Sequence, residues 1–198
     1  MRYFCFICVI KAVIKGDLYE SVCLRHYRPP TNKIFFGYNE EDPLCQKLKE
    51  CLLEQFRILH DEKFVRTFFV GGALGVDMWA GEQLLTLRAQ TGYEDIKIVV
   101  VVPFIGYDSK WPDQSRHRLK KLIQNANDSI VISHSADVSS YKKRNYYMVD
   151  HAEYLIGVFD NQKKLRSGTA QTVNYALHQG KVISLIHPDT MEITAPAP

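Results

Sequence analysis

Short β-branched runs alternate with amphipathic stretches along most of the chain. Ile96 to Val102 (IKIVVVV) and Val65 to Val70 are apolar almost without interruption, as expected of parallel strands covered on both faces. Further strands are predicted at Ser21 to Leu24, Ser129 to Ile132, Tyr154 to Phe159 and Val182 to Ile186. Between them lie helical patterns. Asp42 suits an N-cap with Pro43 at the first helical position, and Leu44, Leu48, Leu52 and Leu59 follow as a core-facing stripe. Other helices are predicted over Val76 to Ala89, Pro112 to Gln124, Tyr141 to Ala152 and Thr169 to Gln179, the last closed by Gly180. Pro103 is expected to end the strand before it. This alternation predicts an α/β fold, a doubly wound and mostly parallel sheet with helices on both faces. Ligands of such sheets bind beyond the carboxyl ends of the strands, near the reversal of strand order.

The amino-terminal stretch Tyr3 to Ile14 is apolar apart from Lys11. Only Arg2 precedes it, no small-residue cleavage site follows, and it is too short for a membrane helix. We read residues 1–20 as an extension or extra strand, 21–190 as one ligand-binding domain, and 191–198 as a tail. With 198 residues, 46% hydrophobic and 24% charged, the composition is that of a globular domain. A net charge of +3 argues against a dedicated nucleic-acid binder. Five cysteines (Cys5, Cys8, Cys23, Cys45 and Cys51) are an odd number with no second C-x-x-C, so neither a disulfide framework nor a metal site is expected. A cytoplasmic protein, not membrane-bound, follows.

Four segments could carry chemistry. Gly71-Gly72-Ala73-Leu74-Gly75-Val76-Asp77 joins a strand to a helix. Its glycines permit close backbone approach, and the helix start offers free N–H groups to a phosphate. The same residues also suit a tight turn with Asp77 as a cap. A carboxylate there would repel phosphate, so Asp77 is assigned to ribose hydroxyls or to capping. Leu165-Arg166-Ser167-Gly168-Thr169 follows the strand ending near Asp160 and forms a second cradle, or a plain Ser/Thr cap. In Tyr141 to Met148, Arg144 is a candidate phosphate partner, with Asn145 beside it and Met148 one turn on. After Val102, Phe104, Tyr107 and Trp111 could stack on a base, although simple packing suits Trp111 better.

Taken in order, these pieces resemble the SLOG superfamily, in its YpsA/YoqJ-like branch of small bacterial and phage proteins. The resemblance runs from about Arg28 to Pro188. It rests on FGYNEEDPLCQKLKE, GGALGVDMWAGE, VPF with a downstream Trp, YKKRNYYMVDHAE, and the SGT that opens the last helix. It implies a Rossmann-like fold whose glycine-rich loops bind nucleotides or nucleotide-derived signals. Among such proteins, LOG enzymes cleave the N-glycosidic bond of nucleoside monophosphates, DprA binds single-stranded DNA, and others sense cyclic ADP-ribose species. A homo-oligomer is compatible with it.

Two departures bear on function. Arg25-His26-Tyr27-Arg28-Pro29 stands where the branch has Thr-Gly-His-Arg-Pro, so only Arg28 and Pro29 match. In the LOG motif Pro-Gly-Gly-x-Gly-Thr-x-x-Glu, Gly168 and Thr169 match, but Leu165 and Arg166 replace glycines and Thr172 replaces the glutamate. A threonine cannot supply a carboxylate for acid–base work. The reading is therefore a module that senses or sequesters a nucleotide-derived ligand such as ADP-ribose, cyclic ADP-ribose, NAD or a nucleoside monophosphate, with no further cofactor and no metal. Gly71, Gly72, Ala73, Gly75, Asp77, Arg144, Asn145, Ser167, Gly168 and Thr169 would hold it, with Arg28, Phe104 and Asp160 nearby. A phosphoribohydrolase is the first alternative. A single-stranded nucleic-acid binder using Lys142, Lys143, Arg116 and Arg118 is the second.

Overall fold

The computed structural model describes residues 3–8, 37–134, 136–159 and 168–196. Strand β1 (Tyr3–Cys8) is followed by α1 (Pro43–Asp61), β2 (Val65–Val70), α2 (Val76–Arg88) and β3 (Lys97–Phe104). Then come α3 (Asp113–Asn125), β4 (Asp128–Ser133), α4 (Val138–Asp150), β5 (Tyr154–Val158), α5 (Gly168–His178), β6 (Val182–Ile186) and β7 (Ile193–Thr194). The strands form one sheet in the order β4-β3-β2-β1-β5-β6-β7. All pairings are parallel except that of β7 with β6. The expected α/β architecture is present, with the reversal of strand order at β1.

The period-two alternation of strands explains why the apolar runs are continuous. Phe68, Val70, Ile98, Val100, Val102, Ile156 and Val158 turn to the core shared with α1, α2 and α3. Phe69, Val99, Val101, Leu155 and Leu185 turn to the opposite core, which includes Met148 and Val149 of α4 and Val173 and Ala176 of α5. Asp42 caps α1 as its sequence implies, accepting from the Leu44 N–H at 2.8 Å.

Several expectations need correction. The amino-terminal run forms a strand, and it lies at the centre of the sheet between β2 and β5. Pro103 does not end β3, which continues to Phe104. The β2 register stops at Val100, so the missing N–H of Pro103 breaks no ladder on that side. Helix α4 begins at Val138, three residues early, because Asp137 caps it through the Ser139 N–H. The short β7 lies in the expected tail. The strand predicted at Ser21 to Leu24 lies outside the described residues. Among the described residues, Cys45 and Cys51 are free thiols, and no helix is long and apolar enough to cross a membrane.

At the amino ends of the strands, His60 lies between Asp61 (2.7 Å) and Asp95 (2.8 Å). Arg66 pairs with Asp95, and the Tyr93 hydroxyl donates to Asp61. The cluster ties the end of α1 to β2 and to the lead into β3, opposite the carboxyl-end loops.

Helices α2 and α3 approach closely at Gly81, where an added Cβ would lie 2.6 Å from Leu122 Cδ2. Leu122 is itself buried and hemmed in. Gly81→Ala should therefore destabilise, although alanine is the better helix former by about 1 kcal/mol. Overpacking costs about 1–3 kcal/mol, so after the helix-propensity gain chemical denaturation should show a net loss of up to about 2 kcal/mol.

Candidate functional site

The loop between β2 and α2 depends on glycine at each of its turns. A Cβ on Gly71 would sit 1.7 Å from Arg144 Nη1, and Gly72 and Gly75 have φ of 62° and 86°, values that glycine adopts without strain. The Tyr107 hydroxyl donates to the Gly72 carbonyl at 2.8 Å and closes the loop from the β3 side. Gly75 is the N-cap of α2 and supplies no side-chain bond to the helix.

Asp77 turns inward instead of toward a ligand. It is 1% exposed, and its carboxylate accepts from the N–H groups of Gly71 (3.4 Å) and Ala73 (3.3 Å). Arg144 Nη1 stands 3.4 Å away and donates to the Gly71 carbonyl at 2.7 Å. Burial pushes the Asp77 carboxyl up, and Arg144 and the two N–H groups pull against it. The cup that the glycine pattern suggested for phosphate thus holds the protein's own carboxylate. A ribose contact by Asp77 would require that side chain to leave the cup.

Helix α4 links this loop to the second cradle. Met148 faces the core, as its spacing from Arg144 implies, and Arg144 reaches the loop. Next to it, Asn145 donates to the Thr172 hydroxyl at 3.1 Å. Thr172 in turn donates to the Gly168 carbonyl at 2.8 Å. With β2 and β5 separated only by β1, Gly71, beyond β2, and Gly168, at the start of α5, are therefore both tied to the same turn of α4. Arg144 and Asn145 fill part of the space between them. Two buried polar atoms here lack a hydrogen-bond partner among the described residues: Arg144 Nε and Thr169 Oγ1.

The remaining sequence candidates fall in different places. Phe104 packs edge-on against Tyr107 and Tyr141, and Trp111 against Tyr107, so these rings support one another. Arg116 pairs with Asp108 and Asp113, and Arg118 with Glu40 and Glu82. Arg28, Asp160 and Ser167 lie outside the described residues.

One feature left no local signal in the sequence. On the α1–α3 side of the loop is a cavity of about 490 Å³, lined by Tyr38, Glu41, Gly75, Gln114, Ser115 and Arg118 among others. It lies where the starts of three helices meet, and no contiguous motif encodes it. At its wall, burial pushes the Glu40 carboxyl up, but hydrogen bonds from Arg118, Lys49 and Trp79 outweigh this and hold it at about 2.

A family model described as the YspA SLOG family matches residues 22–191, so β1 lies before the matched segment. The SPbeta prophage-derived protein YoqJ of Bacillus subtilis is 31% identical over 166 residues, covering 75% of this chain and 92% of that protein. A UPF0398 protein of Staphylococcus epidermidis is 26% identical over 129 residues, 64% of this chain and 67% of its own length. A UPF0398 protein of Staphylococcus haemolyticus is 28% identical over 97 residues, 48% and 51% of the two chains.

Arg144→Ala leaves Asp77 buried without its cation and should cost about 3–5 kcal/mol at neutral pH. The folded-state pKa of Asp77 is already raised and rises further in the variant. Protonation therefore favours the folded variant as pH falls from neutral toward the ordinary aspartate range. The deficit relative to wild type should shrink over that interval in urea titrations at stepped pH.

Proposed function

The chain belongs to the YspA SLOG family, and from that premise we propose that it is a binding module for a nucleotide-derived, phosphate-bearing ligand. The ligand would be of the ADP-ribose, cyclic ADP-ribose, NAD or nucleoside-monophosphate class, and the module would sense or sequester it. Family membership suggests a nucleotide-related role. One observation supports the finer reading. A buried guanidinium and a buried hydroxyl, Arg144 and Thr169, each keep a polar atom with no partner among the described residues where α4 meets the start of α5. Such atoms carry a desolvation penalty that a bound anion would relieve. The start of α5 adds the positive end of its dipole.

The occupied cup at Gly71 and Ala73 refines the geometry. With Asp77 in place, the anion belongs at the α5 start, and the loop after β2 serves to position Arg144. Hydrolysis of a glycosidic bond is the weaker reading, because Thr172 stands at the glutamate position and its hydroxyl is engaged by Gly168 and Asn145. A single-stranded nucleic-acid site is weaker too, since Arg116 and Arg118 are paired with carboxylates.

Isothermal titration with AMP, ADP-ribose and NAD should give saturable binding to at least one. Thr169→Val removes a hydroxyl that has no partner here while keeping the side chain's shape. Stability should hold or rise, and affinity should fall roughly tenfold, the value of about one charge-assisted hydrogen bond. Unchanged affinity in a folded Thr169→Val protein, or no binding by wild type, would overturn the reading.

A further inference from the structure

We propose that the cavity at the start of α2 receives the uncharged, amino-bearing heterocycle of the ligand; this rests on the reading above and assigns phosphate and base to opposite sides of one loop.

The charge around the cavity excludes a phosphate there. Among the described residues that line it are Glu40 and Glu41, and the one arginine there, Arg118, is already committed. Arg118 donates through Nε and Nη2 to both carboxylate oxygens of Glu82, at 2.7 and 2.6 Å, and through Nη1 to Glu40. An incoming anion would meet carboxylates without a free cation to offset them. A neutral group with N–H donors faces the reverse situation, because the carboxylate oxygens of Glu41 accept hydrogen bonds and the Gln114 amide both donates and accepts. Both side chains are exposed at the rim. Leu74, Met78 and Trp79 supply an apolar wall, and the volume lies in the range of small-molecule sites, about 300–1,000 Å³.

The link to the phosphate position is the loop itself. Leu74 and Gly75 border the cavity, while Gly71 and Asp77 meet Arg144 on the other side. Gly75 keeps that border thin, since a Cβ there would approach the Tyr38 ring at 3.1 Å. A nucleotide crossing the sheet edge over this loop could place a heterocycle on one side and its phosphate on the other.

Titration of the full chain with adenosine, inosine, AMP and ribose 5-phosphate separates the two assignments. In a Glu41→Ala/Gln114→Ala variant, adenosine and AMP should bind roughly tenfold more weakly, and ribose 5-phosphate should be unaffected. Wild type should prefer adenosine to inosine, and the variant should lose that preference. Thr169→Val should show the converse pattern, weakening AMP and ribose 5-phosphate but not adenosine. AMP binding that ignores the Glu41/Gln114 changes overturns the cavity assignment and leaves the phosphate reading standing. Adenosine binding that depends on them, with no affinity for ribose 5-phosphate, upholds the cavity and removes the phosphate reading. Absence of binding by all four overturns both.

Discussion

A guanidinium that water can barely reach governs the carboxyl edge of this sheet. Arg144 is 5% exposed, and a buried cation persists only where acceptors surround it. The Gly71 carbonyl and the Asp77 carboxylate provide them. This requirement explains the absence of a side chain at Gly71, where any Cβ would overlap the guanidinium. It also explains why Asp77, at the first turn of α2, is drawn inward and not left to solvent. Neighbouring Asn145 extends the same constraint to α5 through Thr172. One turn of α4 thereby ties the loop after β2 to the start of α5.

The sheet edge has two chemically different sides. Toward α4 and α5, the buried polar atoms without a partner among the described residues belong to a cation and a hydroxyl, with the start of a helix beside them. Toward α1 and α3, the described cations Arg118 and Lys49 are already bound to carboxylates, Arg118 to two of them. A ligand with one anionic and one neutral, donor-rich end matches that asymmetry. The glycine loop separates the two environments, and its own anion requirement is met internally by Asp77. The Thr172 hydroxyl belongs to the same arrangement, since through Asn145 it joins α4 to α5.

Much of this architecture was legible from residue order. Period-two and helical spacing, with the Asp42-Pro43 start, defined most elements because burial on two faces imposes those periods directly. The glycine loop after β2 was legible because its left-handed turns restrict residue type locally. Other outcomes depended on neighbours. Pro103 could stay in β3 because β2 had already stopped pairing, which is a matter of register between distant segments. The central placement of Tyr3–Cys8 likewise depends on which strands flank it.

The sequence by itself therefore determined the alternation of strands and helices, the parallel sheet and the turns at its edge, all consequences of short-range periodicity and backbone sterics. The tertiary structure decided that Asp77 fills its own loop's cup, that Arg118 is neutralised by Glu40 and Glu82, and that three helix starts border a half-open cavity. Charge pairing and enclosure depend on distances across the fold, between residues 36 to 78 positions apart in the case of Arg118, and no local pattern records those distances.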